Sequence, residues 1–166
     1  MKCLIQVTTK TKSELKLKRL IKRATLHALN HLPASTLTRK LKGRKPPYHL
    51  DIALVSKKSM QRLNFEYRKK QKTTDVLSFS LLDLPRVAPS PTLIGQMVLC
   101  CPVIQSQARQ WGVEPEEELQ RMIIHGVLHL FGYDHEGSKK EAKAMFRLQE
   151  KLLSQLVGKI TRQDFY

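Results

Sequence analysis

The chain has 166 residues, of which 41% are hydrophobic, and its formal net charge is +16 at pH 7. This size and apolar content predict a single domain over residues 1–166, and the lack of an apolar run of about eighteen residues excludes a transmembrane protein. We expect a soluble, cytoplasmic protein, because no charged and apolar leader opens the sequence.

Turn signals and apolar runs predict the elements of the first half of the chain. Residues 4–7 look like a short strand, and Ser13 is suited to cap the helix that follows. A basic, turn-rich segment at 43–47 leads to a second strand at 50–55, and Ser56 starts a helix that reaches about Tyr67.

Two further strands, at 76–81 and 94–100, are predicted for the second half. The loop between them is rich in proline at 85–91, and we expect it to be mobile. Pro102 suits the first turn of a helix that reaches about Trp111, because backbone N–H groups in that turn have no hydrogen-bond acceptor within the helix.

The helix that Pro115 opens is the most informative one in the chain. Three consecutive glutamates follow the proline, at the positive end of the helix dipole. The run 122–131 has no formally charged residue and is apolar nearly all round apart from two histidines, which is typical of a central, buried helix. A last helix begins at Ser138. The order β-α-β-α-β-β-α-α-α predicts an α+β fold, with a single sheet of about four strands packed with helices.

The excess positive charge is confined to one half of the chain. Residues 1–80 hold 20 basic and 4 acidic residues, whereas the rest of the chain holds 10 of each. A one-sided basic field is typical of proteins that bind phosphate backbones, and three basic clusters would supply it, at 16–19, 39–45 and 68–72. A solvated basic surface without a specific partner is the alternative. Membrane-surface binding is disfavoured, because the longest basic helix has no aromatic residue on its apolar side.

Three histidines lie within eleven residues. His125 and His129 are four residues apart, so a helix places both on one face, one turn apart. Gly132 suits the left-handed end of that helix, after which a turn can bring His135 back to the same point. These spacings predict a metal site on the buried helix, with zinc as the metal. Three protein ligands leave the fourth position open, as in catalytic zinc sites. A buried helix with incidental histidines is the alternative.

The spacing also matches the metzincin protease pattern HExxHxxGxxH at every position except the second. Gly126 stands where the protease has the glutamate that deprotonates the attacking water. The sequence therefore favours metal binding over protease chemistry, and a peptidase stays an alternative. An RNA-binding module with a structural zinc is a third hypothesis, but neither the cysteines nor the other histidines have a spacing that supplies a fourth ligand.

Three segments of the sequence form a recognisable set: HGVLHLFGYDH at 125–135, LNFEYR at 63–68 and TDVLSF at 74–79. Together they resemble the YbeY family of bacterial endoribonucleases, also called rRNA maturation factors. The resemblance runs from the strand at 50 to the last helix. It implies an α+β fold with a mixed sheet, one zinc ion per chain and cleavage of single-stranded RNA. It also implies a role in 16S rRNA 3′ end maturation and ribosome quality control, with ribosomal RNA and the small ribosomal subunit as partners and no small-molecule cofactor.

Within this resemblance, Arg68 aligns with an arginine that is regarded as functionally essential in the family. Two positions depart from the family pattern. Thr73 replaces a proline, which should only loosen a turn, and Gln96 replaces an aspartate, which removes a carboxylate that could orient a ligand or activate water.

A mechanism can be written for these residues as a hypothesis. The open metal position would carry either a water whose pKa falls toward ~7 or a phosphate oxygen of the RNA. Arg68 would bind the scissile phosphate through two parallel hydrogen bonds and stabilise the charge that grows in the transition state. Asp134 and Glu136 flank a ligand, so either could orient an imidazole, although Asp134 could equally be only a turn former.

Overall fold

The computed structural model describes residues 1–9, 15–84 and 92–158. Within them the chain forms four strands and six helices. In chain order these are β1 (Cys3–Thr8), α1 (Leu15–His31), α2 (Ala34–Lys40), β2 (Tyr48–Leu54), α3 (Lys57–Arg68), β3 (Val76–Ser80), β4 (Leu93–Leu99), α4 (Cys101–Trp111), α5 (Pro115–Leu130) and α6 (Lys139–Val157).

The four strands form one mixed sheet in the order β1-β2-β4-β3. Strands β1, β2 and β4 are parallel, whereas β3 runs antiparallel to β4 at the edge of the sheet. Apolar residues alternate along the strands, so that Ile5, Ile52 and Met97 lie in the main core. The predicted α+β fold with a single mixed sheet is confirmed.

Helix α5 lies at the centre of the fold, packed against α1, α4, α6 and β3. It is buried on nearly every side, and Ile123, Ile124 and Val127 are fully enclosed. Pro115 occupies its first turn and three glutamates follow, as the sequence predicts. Over the described ranges, no helix is both long enough and apolar enough to cross a membrane.

Two serines cap the starts of helices α3 and α6. The Ser56 hydroxyl accepts a hydrogen bond from the Ser59 backbone N–H at 3.3 Å, so α3 begins at the next residue. Ser138 and Glu141 form a reciprocal capping box at the start of α6. Both predicted helix starts are therefore confirmed.

The prediction missed helix α2. This segment is only seven residues long, and its sequence, ASTLTRK, contains serine and threonines, which are weaker helix formers than alanine or leucine. Contacts with the rest of the fold, rather than local preference, stabilise so short a helix. The predicted Ser13 cap and the predicted proline-rich loop at 85–91 lie outside the described residues.

Candidate metal centre and cleft

The structure brings the three predicted histidines together. One nitrogen of each of His125, His129 and His135 lies within 4.8 Å of the other two. The Nε2 atoms of His125 and His129 are 3.1 Å apart, which is close to the roughly 3.4 Å that separates two nitrogens on one tetrahedral zinc ion. All three rings are partly buried. The donor set fits a divalent transition metal that prefers imidazole.

The turn that carries His135 is held by the helix that the prediction missed. Gly132 has a φ of 83°, in the left-handed region, and this ends α5 as expected. The Lys40 side chain lies directly against Gly132, so that a Cβ atom there would be 2.9 Å from Lys40 Nζ. The hydroxyls of Thr36 and Tyr133 share a hydrogen bond of 2.9 Å. Helix α2 therefore fixes the path of the chain between the second and third histidines.

Gln149 of α6 orients the first histidine. Its side-chain oxygen lies 2.8 Å from His125 Nδ1, and because an amide oxygen can only accept, the ring must donate from Nδ1. A neutral His125 then keeps its lone pair on Nε2, the atom that faces His129. Burial lowers the pKa of His125, which favours this neutral form. Outer partners of this kind fix the tautomer and direction of metal-binding imidazoles.

His129 is also held in the neutral state required of a metal ligand. Burial, followed by the proximity of His125 and His135, lowers its pKa to about 4. At neutral pH its ring therefore carries a lone pair rather than a second proton. Metal binding at this imidazole does not have to displace a proton.

Gln149 belongs to a buried polar network that joins α5 to α6. Its amide nitrogen donates to Glu150 at 3.0 Å, and Glu150 accepts from Arg121. Arg121 also donates to Glu118 at 3.2 Å, and each of these four residues is at most 8% exposed. Burial alone would lower the pKa of Arg121, but its hydrogen bond to Glu150 and the nearby carboxylates raise it. The guanidinium therefore stays charged and compensates the buried carboxylates.

Gly126 lies where α5 packs closely against strands β3 and β4. A Cβ atom at this position would overlap Met97 Sδ and would lie 3.0 Å from Ser78 Oγ. The protease pattern requires a glutamate here, and the sheet occupies the space that its side chain would need. The chain lacks this glutamate and packs closely where it would stand, so both sequence and geometry argue against the peptidase alternative.

The histidines line a cleft with a volume of about 1260 Å³. Arg68 and Lys70 line the same cleft, and both contact the Glu136 carboxylate, at 3.5 and 3.2 Å. The hydrogen bond from Lys70, together with the charge of Arg68, holds the pKa of Glu136 below its usual value. Both basic side chains are about half exposed, so these ion pairs contribute little to stability.

Asp134 is a turn former in this structure. Its side chain accepts a hydrogen bond from the Glu136 backbone N–H at 2.9 Å, which lowers the pKa of Asp134. Glu136 is directed at the basic pair rather than at an imidazole. The imidazole-orienting role that either carboxylate could have filled is performed at His125 by Gln149.

The three basic clusters have different surroundings. Of the 68–72 cluster, Arg68, Lys70 and Lys72 line the cleft, whereas no residue of the other two clusters does so. In the 39–45 cluster, Lys40 is largely buried and paired with Asp83 at 2.7 Å, and Arg44 donates to a backbone carbonyl. Some of the basic side chains therefore form contacts within the fold.

The two departures from the family pattern lie outside the three-histidine cluster. Gln96 is exposed, because it alternates with Met97, which packs toward α5. It does not line the cleft. The segment around Thr73 is held by the Asn64 side chain, which donates to the Lys72 carbonyl at 2.7 Å.

The fold and the site together define an α+β protein with a three-histidine cluster, able to hold a metal, in a cleft that basic residues border. The family model described as Endoribonuclease YbeY matches residues 5–157. Two relatives carry the same description. The Bdellovibrio bacteriovorus protein is 39% identical over 73% of this chain and 76% of its own length, and the Persephonella marina protein is 33% identical over 87% of both chains.

A solved structure agrees with this assignment. The solution structure of TM1509 from Thermotoga maritima superimposes with a TM-score of 0.54 at 27% identity, covering 93% of this chain and 90% of that one. The chain belongs to the YbeY family of endoribonucleases, hydrolases that act on RNA. The resemblance found in the three sequence segments is confirmed.

Proposed function

We propose that this protein is a zinc-dependent endoribonuclease that cleaves single-stranded ribosomal RNA, in 16S rRNA 3′ end maturation and in ribosome quality control. One observation carries the proposal: a single cleft holds three converging imidazoles together with a basic pair, Arg68 and Lys70. A single substrate in the cleft can therefore contact both the metal-binding histidines and the basic residues that would bind its phosphate. Zinc is the metal we assign, because imidazole nitrogens at this spacing suit its tetrahedral coordination.

His125, His129 and His135 are the proposed zinc ligands. Among the described residues no further histidine, cysteine or carboxylate joins this group, so the proposed site has the three protein ligands of a catalytic centre rather than the four of a structural one. Bound zinc would supply Lewis-acid chemistry, either by lowering the pKa of a water or by polarising a phosphoryl oxygen. This argues against an RNA-binding module with a purely structural metal.

Arg68 is the residue we propose as catalytic. Its guanidinium and the Lys70 ammonium both contact the Glu136 carboxylate, next to His135 in the chain, which supports the binding of an anion by this pair. A phosphate group of the RNA would replace the carboxylate there. The planar guanidinium can then donate two hydrogen bonds to the phosphoryl oxygens and stabilise the charge that grows on them.

Ribosomal RNA and the small ribosomal subunit are the proposed partners. The net charge of +16, all of it from residues 1–80, supports a partner with a phosphate backbone. Ribosomal RNA is found in the cytoplasm, which is where we propose that the enzyme acts.

Zinc content and RNA cleavage test this function together. We expect the purified protein to carry about one zinc and His129→Ala to lose most of it, because removing one of three ligands breaks their convergence. Cleavage of single-stranded RNA should fall with the zinc, and casein should stay intact in every sample. His31→Ala is the matched control, since His31 is an exposed histidine of α1 outside the cluster. Equal zinc in wild type and His129→Ala would show that these histidines are not the site.

A further inference from the structure

Two aromatic side chains are strongly exposed at the cleft. Tyr67 and Trp111 are 56% and 57% exposed, and both line the cleft that contains the histidines. Single exposed apolar side chains are ordinary on a protein surface. What distinguishes this pair is that the two side chains come from different helices, the ends of α3 and α4, and border one cavity.

Tyr67 places an aromatic ring next to Arg68, the residue that we propose to bind phosphate. It directly precedes Arg68, and both side chains line the cleft. Its ring meets Phe79 edge to face, with centroids 4.9 Å apart. This contact holds the ring in place while more than half of the residue's surface stays exposed. A nucleotide whose phosphate bound Arg68 would have an aromatic surface beside its base.

Trp111 provides the second aromatic surface. It is the last residue of α4 and lies one turn after Gln107, which also lines the cleft. The cleft volume of about 1260 Å³ exceeds the ~300–1,000 Å³ of most small-molecule sites, so it suits a segment of a polymer. Exposed aromatics beside basic residues are the combination by which proteins bind single-stranded nucleic acid.

We propose that Tyr67 and Trp111 are stacking platforms for unpaired nucleobases of the RNA substrate, at two places along the cleft. This inference rests on the proposed function, since it takes RNA as the substrate. Bases in a duplex stack on one another and present no free face to a protein ring. Stacking on these two residues would thus make the site select unpaired RNA, whatever its sequence, because every base has an aromatic face.

Trp111 is the single tryptophan of the chain, so its fluorescence reports on its own surroundings. The zinc-loaded protein is titrated with a 2′-O-methyl single-stranded RNA of about 10 nucleotides, checked for integrity on a gel. Anisotropy of a dye on the RNA measures binding. We expect the tryptophan emission to be quenched as the RNA saturates the protein. A backbone of equal length without bases should bind more weakly and leave the emission unchanged.

Substitutions separate stacking from general binding. Trp111→Leu and Tyr67→Leu should each weaken binding by at least about 5-fold, whereas Tyr67→Phe should bind like wild type. Phe65→Leu is the matched control. Phe65 is a comparably exposed aromatic of the same helix, at 49%, but it does not line this cleft, so its loss should leave the affinity unchanged.

The outcomes distinguish a failure of stacking from a failure of the proposed function. If wild-type protein neither binds nor cleaves single-stranded RNA, the proposed function is wrong. If it binds and cleaves but its emission does not change, and both leucine variants bind like wild type, the stacking proposal is overturned while the function stands. Equal losses at Phe65 and at the two cleft residues would also overturn it, since the effect would then be unspecific.

Discussion

Replacing Gln149 by leucine tests how far the metal centre depends on α6. The amide is 4% exposed and accepts the Nδ1–H of His125 at 2.8 Å. Leucine has a similar volume but no acceptor, so the imidazole loses the bond that fixes its tautomer and its direction. Nε2 of His125 would then carry the proton in part of the population, and that fraction cannot bind metal.

The expected loss of zinc affinity follows from the position of Gln149, which contacts the proposed ligand His125. Loss of such an outer partner weakens metal affinity by about 10- to 100-fold, or about 1.4 to 2.7 kcal/mol. The substitution also leaves a buried ring N–H unpaired and removes one donor to Glu150, which costs the metal-free fold about 1–3 kcal/mol. The two effects have to be measured separately.

Competition with a chromophoric chelator, well below the melting temperature of the variant, measures zinc affinity on folded protein. Urea denaturation of the metal-free protein measures the stability cost. Gln120→Leu is the matched control, because Gln120 is equally buried in α5 but does not line the cleft. We expect Gln120→Leu to bind zinc like wild type. Wild-type zinc affinity in Gln149→Leu would refute the argument that this hydrogen bond prepares His125 for metal.

Other measurements test the remaining parts of the site. Arg68→Lys keeps the charge but loses the bidentate geometry, so single-turnover cleavage at saturating enzyme should fall at least ~10-fold, about 1.4 kcal/mol, with zinc content and RNA affinity little changed. A wild-type rate would leave Arg68 as one basic residue among many. RNA binding should weaken steeply with salt, and reversing the charges of Arg39, Lys42 and Lys45 should flatten the log–log slope by up to about 2, at about 0.7 per phosphate contact. An unchanged slope would show that this stretch does not contact RNA. The metal-free protein should lose stability as the pH falls from 6.5 to about 4, because His129 takes up its proton near the ordinary histidine pKa of 6.5 in the unfolded chain and only near 4 in the folded one. Denaturant titrations should show this pH dependence to be shallower in His129→Gln.

Most of the fold could be predicted because its signals are local. Ser56 and Ser138 cap their helices through bonds three residues along the chain, and α5 is recognisable from a run that lacks charge on every side. Helix α2 could not be found in this way. Its seven residues have no strong periodicity, and its stability comes from contacts with distant residues such as Tyr133 and Asp83.

The residues of the candidate site also differ in how far the sequence could predict them, and the difference is again between local and long-range contacts. The three histidines are close in sequence, so their spacing alone predicts that they converge. Gln149 is separated from His125 by 24 residues, and its role depends on how α6 packs against α5. One signal was available: Gln149 falls four residues after the buried Met145, which places a polar group on the core face of α6. A buried amide needs a partner, and here the partner is the imidazole.

The tight packing at Gly126 has a consequence for how this protein can evolve. Some glycine and glutamate codons differ by one base, so a Gly126→Glu substitution, which would complete the peptidase motif, can need as little as one mutation. The folded chain resists this change, because the new side chain would overlap Met97 Sδ and press against Ser78 Oγ, so the buried Met97 side chain would have to move. Selection for peptide hydrolysis would therefore also have to rearrange side chains of β3 and β4 that pack against Gly126. Close contact between α5 and the sheet thus disfavours the glutamate that the peptidase pattern requires at this position.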